Sequence, residues 1–254
     1  MRNGKLRGLL ITVMLLVFLA GLASILYPYI WGAAVDSSIA STAKDFLERD
    51  EPELPTTTVI IDSIEQEKVK PYPELWEDMV RYNQSITAQG QSGLSCAYDY
   101  QKASFRLADY GLPDEIFGVL SIPAIDLEMP IYLGATEKHM ADGAAHLSQT
   151  SLPIGGMDTN CVIAGHRGYN GASYFRYLDQ LHIGDRVSVT NLWETLNYRV
   201  CEIRIIDPSD VEEILIQPGR ELLTLLTCHP YASGGRQRYV VYCERSELTT
   251  FPTS

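Results

Sequence analysis

The pattern of apolar and polar positions changes several times along the chain. From Leu9 to Trp31, LLITVMLLVFLAGLASILYPYIW, it is almost wholly apolar, and no charge falls between Gly8 and Val35. A run of this length exceeds the roughly 20 residues that cross a bilayer as a helix. The apolar core of a cleaved signal peptide is shorter, about 7–15 residues. The run therefore predicts an uncleaved signal anchor over residues 1–35, although GLAS at 21–24 has the small residues of a cleavage site. Residues 36–70 are acidic and include ERDEPELPTTT, which reads as a stalk with some helix before it. In residues 71–90, Leu75, Trp76, Met79, Val80 and Ile86 fall at helical spacing, and Pro71 and Pro73 block extension backwards. Residues 91–115 show no period and read as a lid or a joint.

From Ile116 the texture becomes that of strands. IFGVLSIP, EMPIYLG, CVIAG, RVSVT, TLNYRVCEIRII, LLTLLTC and RYVVYCE are β-branched or aromatic runs, broken by Pro, Gly, Asp and Asn. Two segments read as short helices, ATEKHMADGA at 135–144 and SYFRYLDQL at 173–181. Many short strands with few helices predict a mostly β domain over residues 116–245, closed as a barrel or stacked as a sandwich, with a tail at 246–254.

Charge sharpens the division. The net charge is −12, and Arg2, Lys5 and Arg7 are the only charges in the first 35 residues. The rest of the chain is strongly acidic, which argues against a nucleic-acid partner. The basic tip belongs on the cytoplasmic side, and Tyr27, Tyr29 and Trp31 suit the outer interface. The membrane is then held by residues 8–31, as a single pass, and everything after Asp36 is extracytoplasmic.

There are five cysteines and no CxxC or metal-type His/Cys spacing, so no metal site and no cofactor are expected. Cys96, Cys161, Cys201 and Cys243 read as structural. Cys228 is different. It ends the strand LLTLLTC just before Pro230, so its side chain can reach a groove. A lone cysteine in an apolar strand is ordinarily core, and a nucleophilic one needs a base or a cation nearby. His229 adjoins it, but strand neighbours point to opposite faces. Of His139, His146, His166 and His182, only His166 follows a strand and precedes a glycine-bearing loop, RGYNGAS. Arg238 starts the next strand and heads toward Cys228 if the two strands form a hairpin; Arg236 lies earlier, in the glycine loop. Cys, His and Arg would thus converge from three strand ends, the set that acyl transfer requires.

These motifs resemble the sortases, the membrane-anchored cysteine transpeptidases of Gram-positive bacteria. The family pattern TLxTC with a downstream arginine is matched by TLLTC at 224–228 and RYVVYCER from Arg238, and the histidine motif by VIAGHRGY at 162–169. GVLSIPAIDLEMPIYLGAT and GAAHLSQTSLPIGG match upstream. The resemblance covers about 116–245 and implies an eight-stranded barrel. It implies Cys228 as nucleophile, His166 as acid/base, Arg238 as oxyanion or substrate stabiliser, and Thr227 as a backbone oxyanion donor or substrate contact. AGHRGY, TLLTCHPY and the long N-terminal extension are most similar to class C, the pilus-assembling sortases. That class usually carries an Asp-Pro-aromatic plug over the cysteine. Here YDYQKASF at 98–105 has no proline, leaving Asp99 with Tyr100, or Phe105, in its place. The implied partners are LPxTG-type surface proteins or pilins, and an amine from a pilin lysine or a cell-wall peptide. Wall anchoring by the same chemistry, or a secreted cysteine peptidase without transfer, are the alternatives.

Overall fold

The computed structural model describes residues 2–49, 70–91, 94, 102–113 and 115–246. Eight strands close into a barrel in the order β1-β2-β3-β4-β7-β8-β6-β5. They are β1 (Ile116–Ile122), β2 (Leu127–Leu133), β3 (Ala144–His146), β4 (Thr159–Ala164), β5 (Arg186–Asn191), β6 (Thr195–Ile206), β7 (Glu221–His229) and β8 (Gln237–Arg245). Closure gives every strand a neighbour on both sides over at least part of its length. Pro130 sits inside β2, where a strand proline is usually excluded. It is tolerated because pairing of β2 with β3 begins only at Ile131, so the missing N–H falls where β2 has one neighbour.

The barrel interior is filled from alternate positions. Leu120, Ile131, Cys161, Ile163, Val189, Leu223, Leu225, Val241 and Cys243 all point into it. The opposite face of β4, β7 and β8 is also covered. Val162, Ala164, Leu226, Val240 and Tyr242 pack there with Met140, Leu147 and Ile214. Burial on both faces explains why CVIA and LLTLLT read as continuous apolar runs rather than alternating ones. His146, in β3, is fully buried, with Nε2 3.1 Å from the Ser151 carbonyl. It is a structural residue, and burial pushes its pKa down to about 4.

Among the described residues, three α-helices accompany the barrel. The helix α3 (Glu137–Asp142) falls where it is expected, and Thr136 caps it by accepting from the His139 N–H at 3.1 Å. The second segment expected as helix, 173–181, is instead a series of turns ending in a 3-10 turn at Leu178–Gln180. Tyr174 there has φ 42°, which breaks helical geometry. The helix α2 (Pro73–Gln89) lies on β1 and β2 through Leu75 and Met79, in a cluster with Leu107, Phe117 and Leu152. Asn83 fastens it by accepting from the Leu152 N–H at 2.8 Å.

The long helix α1 (Arg2–Leu47) differs most from the expected pattern. Its first part exposes a continuous apolar surface, and it is long and apolar enough to cross a membrane. The helix does not stop at residue 35. It runs on over the barrel, burying Ile39, Ala43 and Phe46, so the start of the acidic stretch expected as a stalk is packed helix. At 1.5 Å per residue the whole helix is about 69 Å long, more than twice the apolar thickness of a bilayer. The remainder of the stalk, 50–69, lies outside the described residues, as does the tail from 247.

Candidate functional site

The site forms where β4, β7 and β8 end. Strands β4 and β7 run parallel, with Ala164 opposite Leu226. The ladder continues one step further, as the Gly165 N–H donates to the Leu226 carbonyl at 3.1 Å. His166 and Cys228 therefore emerge from adjacent strand ends that point the same way. The β7–β8 hairpin pairs Cys228 directly with Arg238. The three residues singled out in the sequence are thus brought together by strand register alone.

Cys228 shares a face with Leu226 and Thr224, away from the barrel interior, and is half-buried. Across the hairpin, the Arg238 side chain is held in place by its own turn. Its Nη1 donates to the carbonyls of Gly235 at 2.6 Å and Gln237 at 3.1 Å. Gly235, with φ 75°, leaves the approach open. A Cβ placed there would lie 3.2 Å from both the Cys228 Sγ and the Arg238 Nη1. The thiol and the guanidinium therefore face a common small space.

His166 is enclosed by rings. Tyr169 stacks on it at 4.9 Å between centroids, and Tyr174 meets it edge-on at 5.7 Å. Its carbonyl accepts from the Phe175 N–H at 2.9 Å, which closes the loop back on its own start. Gly165 is needed here because a Cβ would meet the Phe175 ring at 2.7 Å. Burial lowers the His166 pKa, which favours the neutral imidazole.

Thr227 is fully buried, and its hydroxyl donates to the Gly165 carbonyl at 2.8 Å. The side chain ties the residue before His166 to the residue before Cys228. It is a strut, so any contact of Thr227 with a substrate would fall to its backbone.

A second guanidinium escaped the sequence reading. Arg167 is only 6% exposed and lies on the opposite face from Cys228. Its Nη1 donates to the His229 Nδ1 at 2.6 Å and reaches the Cys228 carbonyl at 3.5 Å, while Nη2 pairs with Asp179. The guanidinium also lies 5.4 Å from the Tyr239 ring centre. His229 is a partner of this buried arginine rather than of the thiol. Burial, and then the neighbouring Arg167 charge, lower its pKa. The clue in the sequence was that both residues directly follow a candidate catalytic one.

Cys161 and Cys243 are buried thiols inside the barrel, and burial pushes both pKa values up. Cys201 is also a free thiol, 3.4 Å from the Arg220 Nη2. Cys96, and Asp99 with Tyr100, lie outside the described residues. Phe105 packs against Tyr82 at 5.6 Å and Tyr110 at 6.3 Å, within the cluster under α2. Among the described residues, no group of three or more His, Cys, Asp or Glu could hold a metal ion.

Comparison with known proteins gives one answer. A sortase domain model matches residues 120–246, which is the barrel from β1 through β8. Sortase D of Bacillus subtilis (strain 168) is 30% identical over 132 residues, covering 50% of this chain and 63% of that protein. Sortase A of Streptococcus agalactiae serotype III is 29% identical over 156 residues, covering 59% of this chain and 60% of that protein. The chain thus spans about three-fifths of the length of these curated relatives. Among solved structures, sortase C-1 from Streptococcus pneumoniae superposes with a TM-score of 0.61 at 28% identity, covering 83% of this chain and 98% of that one. The pilus-related sortase C of group B Streptococcus superposes with a TM-score of 0.60 at 29% identity, covering 69% and 91%. By its barrel, its motifs and these relatives, the chain belongs to the sortase family.

Proposed function

We propose that this protein is a membrane-anchored cysteine transpeptidase that acts on LPxTG-type sorting signals. The observation that carries the reading is the pairing of Cys228 with Arg238 across one hairpin, beside the strand end that presents His166. In the first step, neutral His166 takes the thiol proton as the Cys228 sulfur attacks the Thr carbonyl carbon of the signal. Arg238 holds the developing oxyanion. Collapse breaks the Thr–Gly bond, and His166 returns its proton to the leaving amine. A thioester remains on Cys228. An incoming amine then attacks the thioester carbonyl, giving its proton to His166 and forming a new amide as the thiolate leaves. No metal or organic cofactor takes part in these steps.

The apolar half of α1 anchors the enzyme as a single pass. Arg2, Lys5 and Arg7 stay on the cytoplasmic side, and the barrel stands on the extracellular face. Holding enzyme and anchored substrate at one surface raises their effective concentration. The class C structural neighbours favour a pilin subunit as substrate and a pilin lysine as acceptor. Wall-peptide acceptors, used by the same chemistry, are the second reading.

The test is an assay of the full-length protein in detergent on an LPxTG peptide, with and without an amine acceptor. Wild type should give the amide product, and Cys228→Ala should give none. Cleavage without any amide product would point to a peptidase instead. Absence of cleavage by the wild type would defeat the proposal.

A further inference from the structure

The loop that carries His166 is docked on α1, the membrane-spanning helix. The contact is close enough to exclude side chains. A Cβ on Gly32 would lie 2.3 Å from the Gly171 carbonyl carbon, and one on Gly171 would lie 2.0 Å from the Pro28 oxygen. One turn after Gly32, the Asp36 carboxylate accepts two hydrogen bonds from Ser173, from its N–H at 2.8 Å and from its hydroxyl at 3.0 Å. A further turn on, Ile39 is buried in the same cluster as Ala172, Tyr174 and Phe175. Gly32, Asp36, Ile39 and Ala43 form one stripe along the helix.

The residues held by this stripe are those that flank the imidazole. Gly171, Ala172 and Ser173 lie between Tyr169 and Tyr174, the two rings packed on His166. Within that stretch Asn170 has φ 49° and Tyr174 has φ 42°. Non-glycine residues keep such a backbone only where their surroundings over-determine it. On one side the surroundings are the barrel, through Phe175, and α3, whose Ala141 carbonyl accepts from the Tyr174 hydroxyl at 2.7 Å. On the other side they are α1.

We propose that the outer end of α1 positions His166, with Asp36 as the positioning residue acting through Ser173. The helix is then part of the catalytic unit as well as its anchor. This rests on His166 serving as the acid/base of the proposed transpeptidation. Asp36 touches neither thiol nor substrate. Loosening it should slow the proton transfers and leave signal binding alone.

The experiment uses the full-length protein in detergent micelles, as wild type, Asp36→Ala, Asp36→Asn and Ser173→Ala. The milder Ser173→Ala keeps the question answerable if Asp36→Ala folds poorly. Two readouts are taken, steady-state transpeptidation and the rate of His166 acylation by diethyl pyrocarbonate, mapped by mass spectrometry. The second does not depend on the reaction proposed for the enzyme. We expect Asp36→Ala to lower kcat about tenfold with KM within twofold of wild type, and His166 acylation to speed up several-fold. Asp36→Asn, which keeps one acceptor oxygen, should recover part of the rate. The double variant with Ser173→Ala should be no worse than Asp36→Ala alone, because Asp36→Ala already removes the acceptor of the Ser173 hydroxyl. If kcat and His166 acylation both stay within twofold of wild type in Asp36→Ala and Ser173→Ala, the positioning role is wrong. It is equally overturned if the loss falls on KM with kcat unchanged. A wild type with no transpeptidase activity defeats the proposed function, and the acylation readout still decides whether α1 orders His166.

Discussion

Arg167 and His229 lie back to back with His166 and Cys228. Each is the next residue in sequence; alternation along β7 sends His229 to the face opposite Cys228, where the Arg167 Nη1 meets the His229 Nδ1 at 2.6 Å. The two strand ends that present the candidate acid/base and nucleophile are therefore clamped from behind. Thr227, bonded to the Gly165 carbonyl, adds a second tie one residue earlier. A planar guanidinium suits the clamp because it can donate to Asp179 and His229 at once.

Breaking this clamp should slow catalysis without removing the nucleophile. Arg167→Met is expected to lower kcat/KM by about tenfold or more, and Arg167→Lys should not restore it, because one ammonium cannot reach both partners. Alkylation of Cys228 by iodoacetamide should still go to completion in both variants. Equal kcat/KM for wild type and Arg167→Met would show that the clamp is dispensable.

The clamp also carries a pH signature. Neutral His229 accepts from Arg167 at Nδ1, and a protonated imidazole cannot. Its pKa is lowered in the fold, so the contact is fully present above the ordinary histidine range and is lost as pH falls through the lowered value. Arg167, Asp179 and Tyr239 are the charged or titratable groups that face it. His229→Gln keeps an acceptor oxygen and removes the titration. The acid limb of kcat/KM against pH should be shallower in that variant, and an unchanged profile would assign the limb elsewhere.

Arg238 should behave as an electrostatic partner of the reaction. Losing one oxyanion donor typically costs about 10²–10³ in kcat, and Arg238→Ala is expected to fall in that range. Arg238→Lys should recover only part, since its side chain must satisfy two turn carbonyls and still face the thiol. Stopped-flow measurement of acyl-enzyme formation checks this directly. A variant that acylates at the wild-type rate would remove Arg238 from the first step.

Gly235 and its neighbour Gly234 make a matched pair. Both have positive φ, 75° and 74°, so alanine strains the turn in either case by about 1 kcal/mol. Only at Gly235 would the new methyl meet Cys228 and Arg238; at Gly234 nothing lies within 4 Å. Gly235→Ala should therefore lower kcat/KM about tenfold further than Gly234→Ala, at a similar melting temperature. Equal activities for the two variants would mean that the space in front of the thiol is not needed.

His146 predicts how stability depends on pH. Its pKa is about 4 in the fold against about 6.5 for an unfolded chain. The unfolded state binds the extra proton, so stability contributed by neutral His146 is complete above pH 6.5 and lost as pH falls toward 4. The difference amounts to roughly 3 kcal/mol. Urea titrations at pH 7 and 5 should show about 2 kcal/mol of this loss, since pH 5 is still above the folded value, and His146→Gln should flatten it. A wild-type stability that does not fall over this range would contradict the burial of a neutral imidazole.

The chain's own order of residues already contained most of the barrel. Runs such as TLNYRVCEIRII and RYVVYCE could only be strands, and the hairpin that would bring Arg238 to Cys228 is the pairing observed. The short strand β3, three residues long, was hidden because AAH has neither length nor alternation to announce it. The segment 173–181 has helical spacing, yet its start is bent by contacts with α1 and with the barrel.

Local pattern determined which stretches are apolar, which are strands, and which cysteine, histidine and arginine stand at strand ends, because periodicity and turn residues are short-range properties. Tertiary structure alone decided the Arg167–His229 clamp and the seating of Ser173 on Asp36, partners 62 and 137 residues apart. Hydrogen bonds between such distant groups depend on how strands are stacked and where a helix crosses them. No residue carries that information by itself.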